Sequence, residues 1–299
     1  MTQRDEAAQL VRGDQKSDDP RRDLAVTSEE LAPPGIDTTK PSIARVYDFM
    51  LGGKDNFAID RQTGQLALQI TPDGPQAARA NRAFLRRVIR YLTAEAGIRQ
   101  FLDIGSGLPS AGNVHEIAHA VDPAARVVYV DSDPMVLAHG RALLGNTSAT
   151  RVVQADLRQP DEILRHPQVR ELIDFRQPVG LLLFAILHHL KDDEDPAGIA
   201  AHLRDATASG SYVAISHFHN PGDAHPDASK KAMVVEKIFN QTLGTGRWRT
   251  HDEIVSYFGN LDVLEPGLVP LPEWRPEPGE RSEQSDTYHT FVGGLAREP

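Results

Sequence analysis

Residues 101–113 read FLDIGSGLPSAGN. An apolar run ends in an acid, Asp103, and glycines follow at 105 and 107 with Ser106 between them. This is how a chain leaves a β-strand and brings its backbone close to a nucleotide-like ligand. A dinucleotide fingerprint would place a small residue or glycine three positions after Gly107, where Ser110 stands behind Pro109. Asp103 is the unusual member. Its carboxylate would repel a pyrophosphate but suits a ligand that carries an amino group.

Outward from this stretch, short apolar strands alternate with helical segments. QFLDI (from 100), RVVYVD (from 126), TRVVQAD (from 150), VGLLLFAI (from 179) and SYVAISH (from 211) read as strands. Helices are expected near 112–121, 134–144, 160–172 and 195–208. This βα alternation predicts a doubly wound, mostly parallel sheet covered on both faces. Further on, a helix is expected near 226–242 and another at THDEIVSYFG. Strand-like LDVLEPGLV and a last strand, DTYHTFVGGLA, complete the pattern.

Upstream, residues 1–38 are polar and charged with no sustained apolar period, so they are expected to form a disordered tail. Residues 39–98 form a helical unit. PSIARVYDFMLGG carries Ile43, Val46, Tyr47, Met50 and Leu51 at helical spacing and ends at Gly52 and Gly53. A second helix carries the apolar stripe Phe84, Leu85, Val88, Ile89 and Leu92. Its five arginines, 79, 82, 86, 87 and 90, are expected on a solvated face.

The chain has 299 residues, a formal net charge of −10 and no cysteine. That charge argues against sequence-independent binding to nucleic acid. The lack of cysteine excludes disulfides, thiolate metal sites and cysteine nucleophiles. No apolar run approaches the length of a membrane span, and no signal peptide is visible, so a cytoplasmic protein is expected.

Each strand end offers chemistry. Asp131, closing RVVYVD, can accept both hydroxyls of a ribose, whereas Asp133 is expected to cap the helix that opens at Pro134. Asp156, after the third strand, could take an exocyclic amine with Leu157 against the ring, or could simply cap a helix. Ala185 ends the fourth strand, and His188 and His189 follow it. Adjacent histidines commonly divide between packing and a backbone hydrogen bond. The acidic run from Asp192 to Asp195 matches no metal-ligand spacing and reads as a turn.

Taken together, Asp103-x-Gly105-x-Gly107, Asp131, the Ala155-Asp156-Leu157 step and LHHL resemble the class I S-adenosylmethionine-dependent methyltransferases over roughly residues 100–217. PSIARVYDFMLGGKDNF, RANRAFLRRVIRYL, IRQFLDIGSGLPSAGNVHEIA and LEPGLVPLPEWRP are similar to an actinobacterial group of S-adenosyl methyltransferases, once classed as a domain of unknown function. The resemblance implies a Rossmann-like, seven-stranded sheet whose last strand is antiparallel and inserted between the fifth and sixth. It implies S-adenosyl-L-methionine as cofactor, held in a domain over 99–299. Asp103, Gly105, Ser106 and Gly107 would surround its methionine moiety, Asp131 and Ser132 its ribose and adenosine, Asp156 and Leu157 its adenine. Ala185 would supply backbone beside it. The N-terminal helices would cap the cleft, with Tyr47, Lys54, Asp55 and Asn56 as candidate contacts.

In-line methyl transfer needs alignment, water exclusion and sometimes a base. His188 or His217 is expected to serve as that base, with Tyr47 as an outside candidate, and the acceptor is expected to be a small molecule. Two alternatives use the same stretch: a cofactor-sensing module without transfer, and an NAD(P) oxidoreductase. Asp103 and the missing third glycine argue against the latter.

Overall fold

The structure is a computed structural model and describes residues 35–110, 112–143, 148–277, 279 and 284–299. The expected tail therefore lies, up to residue 34, outside the described residues. Eight strands form one sheet in the order β3-β2-β1-β4-β5-β8-β6, with β7 paired to β8. The first five are β1 (Gln100–Ile104), β2 (Arg126–Asp131), β3 (Thr150–Gln154), β4 (Gly180–Phe184) and β5 (Tyr212–Phe218), all mutually parallel. β8 (Phe291–Arg297) runs antiparallel between β5 and β6 (Asp262–Val263). The strand expected at LDVLEPGLV is broken into two short pieces, β6 and β7 (Val269–Pro270), and so the sheet has eight strands where seven were expected.

Alternation along the strands sorts their side chains into two cores. Leu102, Ile104, Val128, Val130, Leu181 and Leu183 enter one, and Phe101, Val127, Tyr129, Leu182 and Phe184 enter the other. The second core is closed by α3 (Gly74–Ala94) through Phe84, Leu85, Val88, Ile89 and Leu92, and by α4 (Val114–His119). The first is closed by α6 (Pro160–Arg165), α7 (Pro167–Leu172), α8 (Pro196–Asp205) and α10 (His251–Ser256). The single helix expected over 160–172 is divided because Pro167, at the first position of α7, lacks the N–H that would continue α6. Arg87 is a second departure. It is buried on α3, and donates to the carbonyls of Trp274 (2.8 Å) and Leu271 (2.7 Å) instead of facing solvent.

A small third core adjoins the second through Phe218. α1 (Ile43–Leu51), α2 (Ala58–Leu68) and α9 (Pro226–Thr242) bring together Met50, Ala67, Val235 and Phe239 with Phe218 and Trp248. Helix α2 has no counterpart in the sequence reading. It is held by a buried ion pair: Asp60 accepts from Arg45 Nε at 2.7 Å and from the backbone N–H groups of Ser42 and Phe57. Desolvating a charge pair is repaid only when its remaining polar atoms are satisfied. These extra donors meet that condition and fix α1 on α2. α5 (Pro134–Leu143) completes the helices.

Candidate active site

The third core walls a cavity of about 560 Å³, within the range of small-ligand sites. Its floor is the set of strand carboxyl ends that the sequence singled out. Asp103, Gly105, Ser106, Gly107, Asp131, Ser132, Ala185 and His188 all line it. Asp156, Leu157 and His217 do not line it.

Strand parity explains the charged end. Asp103 shares its face with Phe101, and Asp131 shares that face with Tyr129, so both carboxyls point to the side covered by α3. Asp103 is 5% exposed, and burial pushes its pKa up to about 7; the Arg82 guanidinium opposes the shift and Asp131 adds to it. Asp131 is raised to about 6, again chiefly by burial, against hydrogen bonds from the backbone of Asp133 and Gly107. The Gly107 N–H lies 2.8 Å from Asp131 Oδ2 and the Asp133 N–H lies 2.9 Å from Oδ1. The glycine turn and the second carboxylate therefore form one unit. Gly105 has φ +72°, and a Cβ there would lie 2.4 Å from Ile186 Cγ1. Only glycine fits both the backbone and the space.

Asp133 acts as the expected cap: Oδ1 accepts from the Met135 N–H at 2.8 Å. Its Oδ2 also accepts from Ser42 Oγ, at the N-terminus of α1, tying the covering helix to the floor. Ala185 sits at φ +52°, a left-handed conformation that an alanine rarely adopts. Its N–H is held by the Ser216 hydroxyl (2.9 Å), which donates to Asn81 Oδ1 (2.7 Å). Asn81 donates to the Tyr47 hydroxyl (3.0 Å), and Tyr47 donates in turn to the Ala78 carbonyl (3.1 Å). Tyr47 lines the cavity with its proton already committed and its pKa raised by burial. Its neighbours in the turn do not reach the cavity. Lys54 is exposed, Asp55 pairs with His139 at 3.5 Å, and Asn56 donates to Asp48 at 2.7 Å.

The histidines are fixed by their backbone partners. His188 Nδ1 accepts from the Phe218 N–H at 3.1 Å. Burial depresses its pKa well below the usual value, keeping the ring neutral, and so its proton sits on Nε2. That atom is buried without a hydrogen-bond partner among the described residues. His188 thus presents a donor and no lone pair. His217 falls on the opposite face of β5 from Ser216 and Phe218, because side chains alternate along a strand. Its Nδ1 donates to the Phe218 carbonyl at 2.6 Å, and Nε2 faces Arg249 Nη1 at 3.3 Å. Neither ring is arranged as the expected base.

Beyond β3, Asp156 Oδ1 accepts from the Arg158 N–H and guanidinium, and Leu157 is buried in the first core. The aromatic wall opposite the charged end was not anticipated. Phe218, Phe239, Trp248 and Phe291 come from β5, α9, a loop and β8, and no local spacing connects them.

The sheet order, the acidic glycine turn and the cavity above it define a class I methyltransferase. Residues 29–299 match the model of a family described as S-adenosyl methyltransferase, and the chain belongs to that family. Two solved structures are similar over nearly their whole length. A provisionally named methyltransferase from Thermobifida fusca YX is 44% identical (TM-score 0.83, 89% of this chain and 98% of that one). A DUF574 family protein from Streptomyces avermitilis MA-4680 is 37% identical (TM-score 0.82, 88% of this chain and 99% of that one). No functionally curated protein matches. The protein is an S-adenosylmethionine-dependent methyltransferase with a Rossmann-like fold.

The residues present fit that cofactor. A buried carboxyl at the end of β1 suits an ammonium, and Gly105, Ser106 and Gly107 line the cavity beside it. Among the described residues no helix is long and apolar enough to cross a membrane.

Proposed function

We propose that the protein transfers a methyl group to an oxygen or nitrogen of a small molecule enclosed in the cavity. The observation that carries this reading is the cover itself: α1, α2 and α9 build a core of their own over the strand ends. When bound, S-adenosyl-L-methionine supplies an electrophilic methyl group on a sulfonium.

Asp103 takes the cofactor ammonium, and the backbone at Gly105, Ser106 and Gly107 passes the methionine moiety. Asp131 holds the ribose, with Ser132 beside the adenosine. Ala185, held by Ser216 and Asn81, offers backbone at the end of β4. Asp156 would use the carboxylate oxygen left by Arg158 for the adenine amine. The protein's part is positioning and the exclusion of water. No histidine base is assigned, since His188 Nδ1 already accepts from the Phe218 N–H and its Nε2 is protonated and buried.

The test is incubation with methyl-labelled cofactor and extract of the source cells, followed by separation by size. Label in a small-molecule fraction is expected. Label confined to protein or nucleic acid would overturn the acceptor class. Tight cofactor binding with label in no product would favour a sensing role without transfer.

A further inference from the structure

The two ends of the cavity differ in chemistry. Its lining runs from Asp131 on β2 to Phe291 on β8, four strand steps in the sheet order, or roughly 19 Å at the usual strand spacing. The assigned cofactor residues lie at the ends of β3, β2, β1 and β4. The ends of β5 and β8 are left to a second ligand.

There the wall is an ordered stack. His188 lies on Phe218 with ring centroids 3.6 Å apart and planes 15° apart, and Trp248 covers the other side of Phe218 at 4.2 Å and 11°. Phe291 meets Phe218 nearly edge-on at 5.1 Å, and Phe239 lies tilted against Trp248 at 5.7 Å. Phe218, Phe239, Trp248 and Phe291 all line the cavity, so a ligand at this end meets aromatic surface. Such a wall favours another aromatic ring, through offset-stacked or edge-to-face contact, over an aliphatic one.

Charge is excluded from this end. Among the described residues, the charged side chains lining the cavity are Asp37, Lys40, Arg45, Arg82, Asp103, Asp131 and Asp133, all from β1, β2 and the turn after it, α3, or α1 and the segment before it. The two polar rings at the aromatic end are His188 and His189, 1% and 7% exposed. His188 Nε2 and His189 Nδ1 are both without a partner among the described residues. Both atoms are buried away from the cavity surface, so these histidines bring neutral rings and no hydrogen-bonding group to the wall.

We propose that the methyl acceptor is an uncharged, planar aromatic molecule, its ring packed against the wall of Phe218, Phe239, Trp248 and Phe291. This rests on the cofactor assignment above, and deepens it by naming the substrate class. A charged acceptor would lose hydration with no counter-ion to replace it. A saturated one would forgo the ring–ring contact.

The test uses full-length protein saturated with S-adenosylhomocysteine and three probes in calorimetry: 2-naphthol, decahydro-2-naphthol and 2-naphthoate. We expect 2-naphthol to bind about tenfold tighter than either of the others, and Trp248→Ala to weaken it by about tenfold. S-adenosylhomocysteine binding should stay within about twofold in that variant, which shows that it is folded. Phe291→Leu, a milder change, should weaken 2-naphthol by about threefold. Equal binding of the three probes, no binding of 2-naphthol, or 2-naphthol binding unaltered by both substitutions would overturn the acceptor class while leaving the cofactor site standing. Wild-type protein that ignores S-adenosylhomocysteine would overturn the cofactor assignment and this inference with it.

Discussion

The two ends of this cavity are built by opposite means. At the β1–β2 end, the proposed cofactor residues lie within one short loop and its neighbour: Asp103, Gly105, Gly107 and Asp131, joined through the Gly107 N–H. At the β5–β8 end, His188, Phe218, Trp248 and Phe291 come from four separate parts of the chain and meet through stacking. One end is charged and holds its carboxyls at an energetic cost. The other is neutral and packs like a core. The proposed cofactor half therefore relies on local backbone geometry, and the proposed acceptor half on the tertiary fold.

The largest effect expected at the charged end follows from the cost of Asp103. Its pKa is raised from 3.8 to about 7 in the fold. The native state therefore holds a proton that the unfolded chain has released, and stability falls as pH rises from about 4 to 7. A shift of this size corresponds to roughly 4 kcal/mol at pH 8. Asp103→Asn should raise the unfolding free energy of the cofactor-free protein at pH 8 by up to that amount, while cofactor affinity falls on the order of 100-fold. Chemical denaturation at pH 8 and at pH 4 checks the sign, because the gain should vanish at the lower pH.

Next in size is Gly105→Ala. The new Cβ would collide with Ile186 in a left-handed backbone, costing roughly 3 kcal/mol and most cofactor binding. Thermal unfolding and calorimetry would measure both. An unchanged melting temperature would mean that the turn is looser than its geometry implies.

Proton linkage gives a smaller effect. An ammonium ligand selects the ionised form of Asp103, so affinity should fall about tenfold between pH 8 and pH 6, with about half a proton released on binding at pH 7. Asp131, raised to about 6, steepens the fall below that pH. A flat profile would separate cofactor binding from the buried carboxyl. The smallest effect is expected for Lys54→Ala, which should leave affinity within about twofold, as its exposed side chain does not line the cavity.

The same contrast explains what could be read from the sequence. β1 and β2 begin and end at the expected residues, and Asp133 caps α5 as expected, because apolar alternation and helix-start chemistry are local signals. The placement of His217 away from the cavity was also within reach. It follows Ser216 by one residue on a strand, and successive side chains face opposite ways. The donor state of His188 was not within reach, since it depends on a backbone N–H thirty residues later. Nor was the burial of Arg87, whose partners at Leu271 and Trp274 are far along the chain. The aromatic wall stayed hidden for the same reason.

Affinity for S-adenosylhomocysteine, compared with that for its deaminated analogue, tests the role of Asp103 most directly, because the two ligands differ only in the amino group. At pH 8 the parent compound should bind wild-type protein on the order of 100-fold more tightly, and Asp103→Asn should erase that preference. Equal affinities in the wild type, or a preference that persists in the variant, would place the ammonium elsewhere and contradict the account.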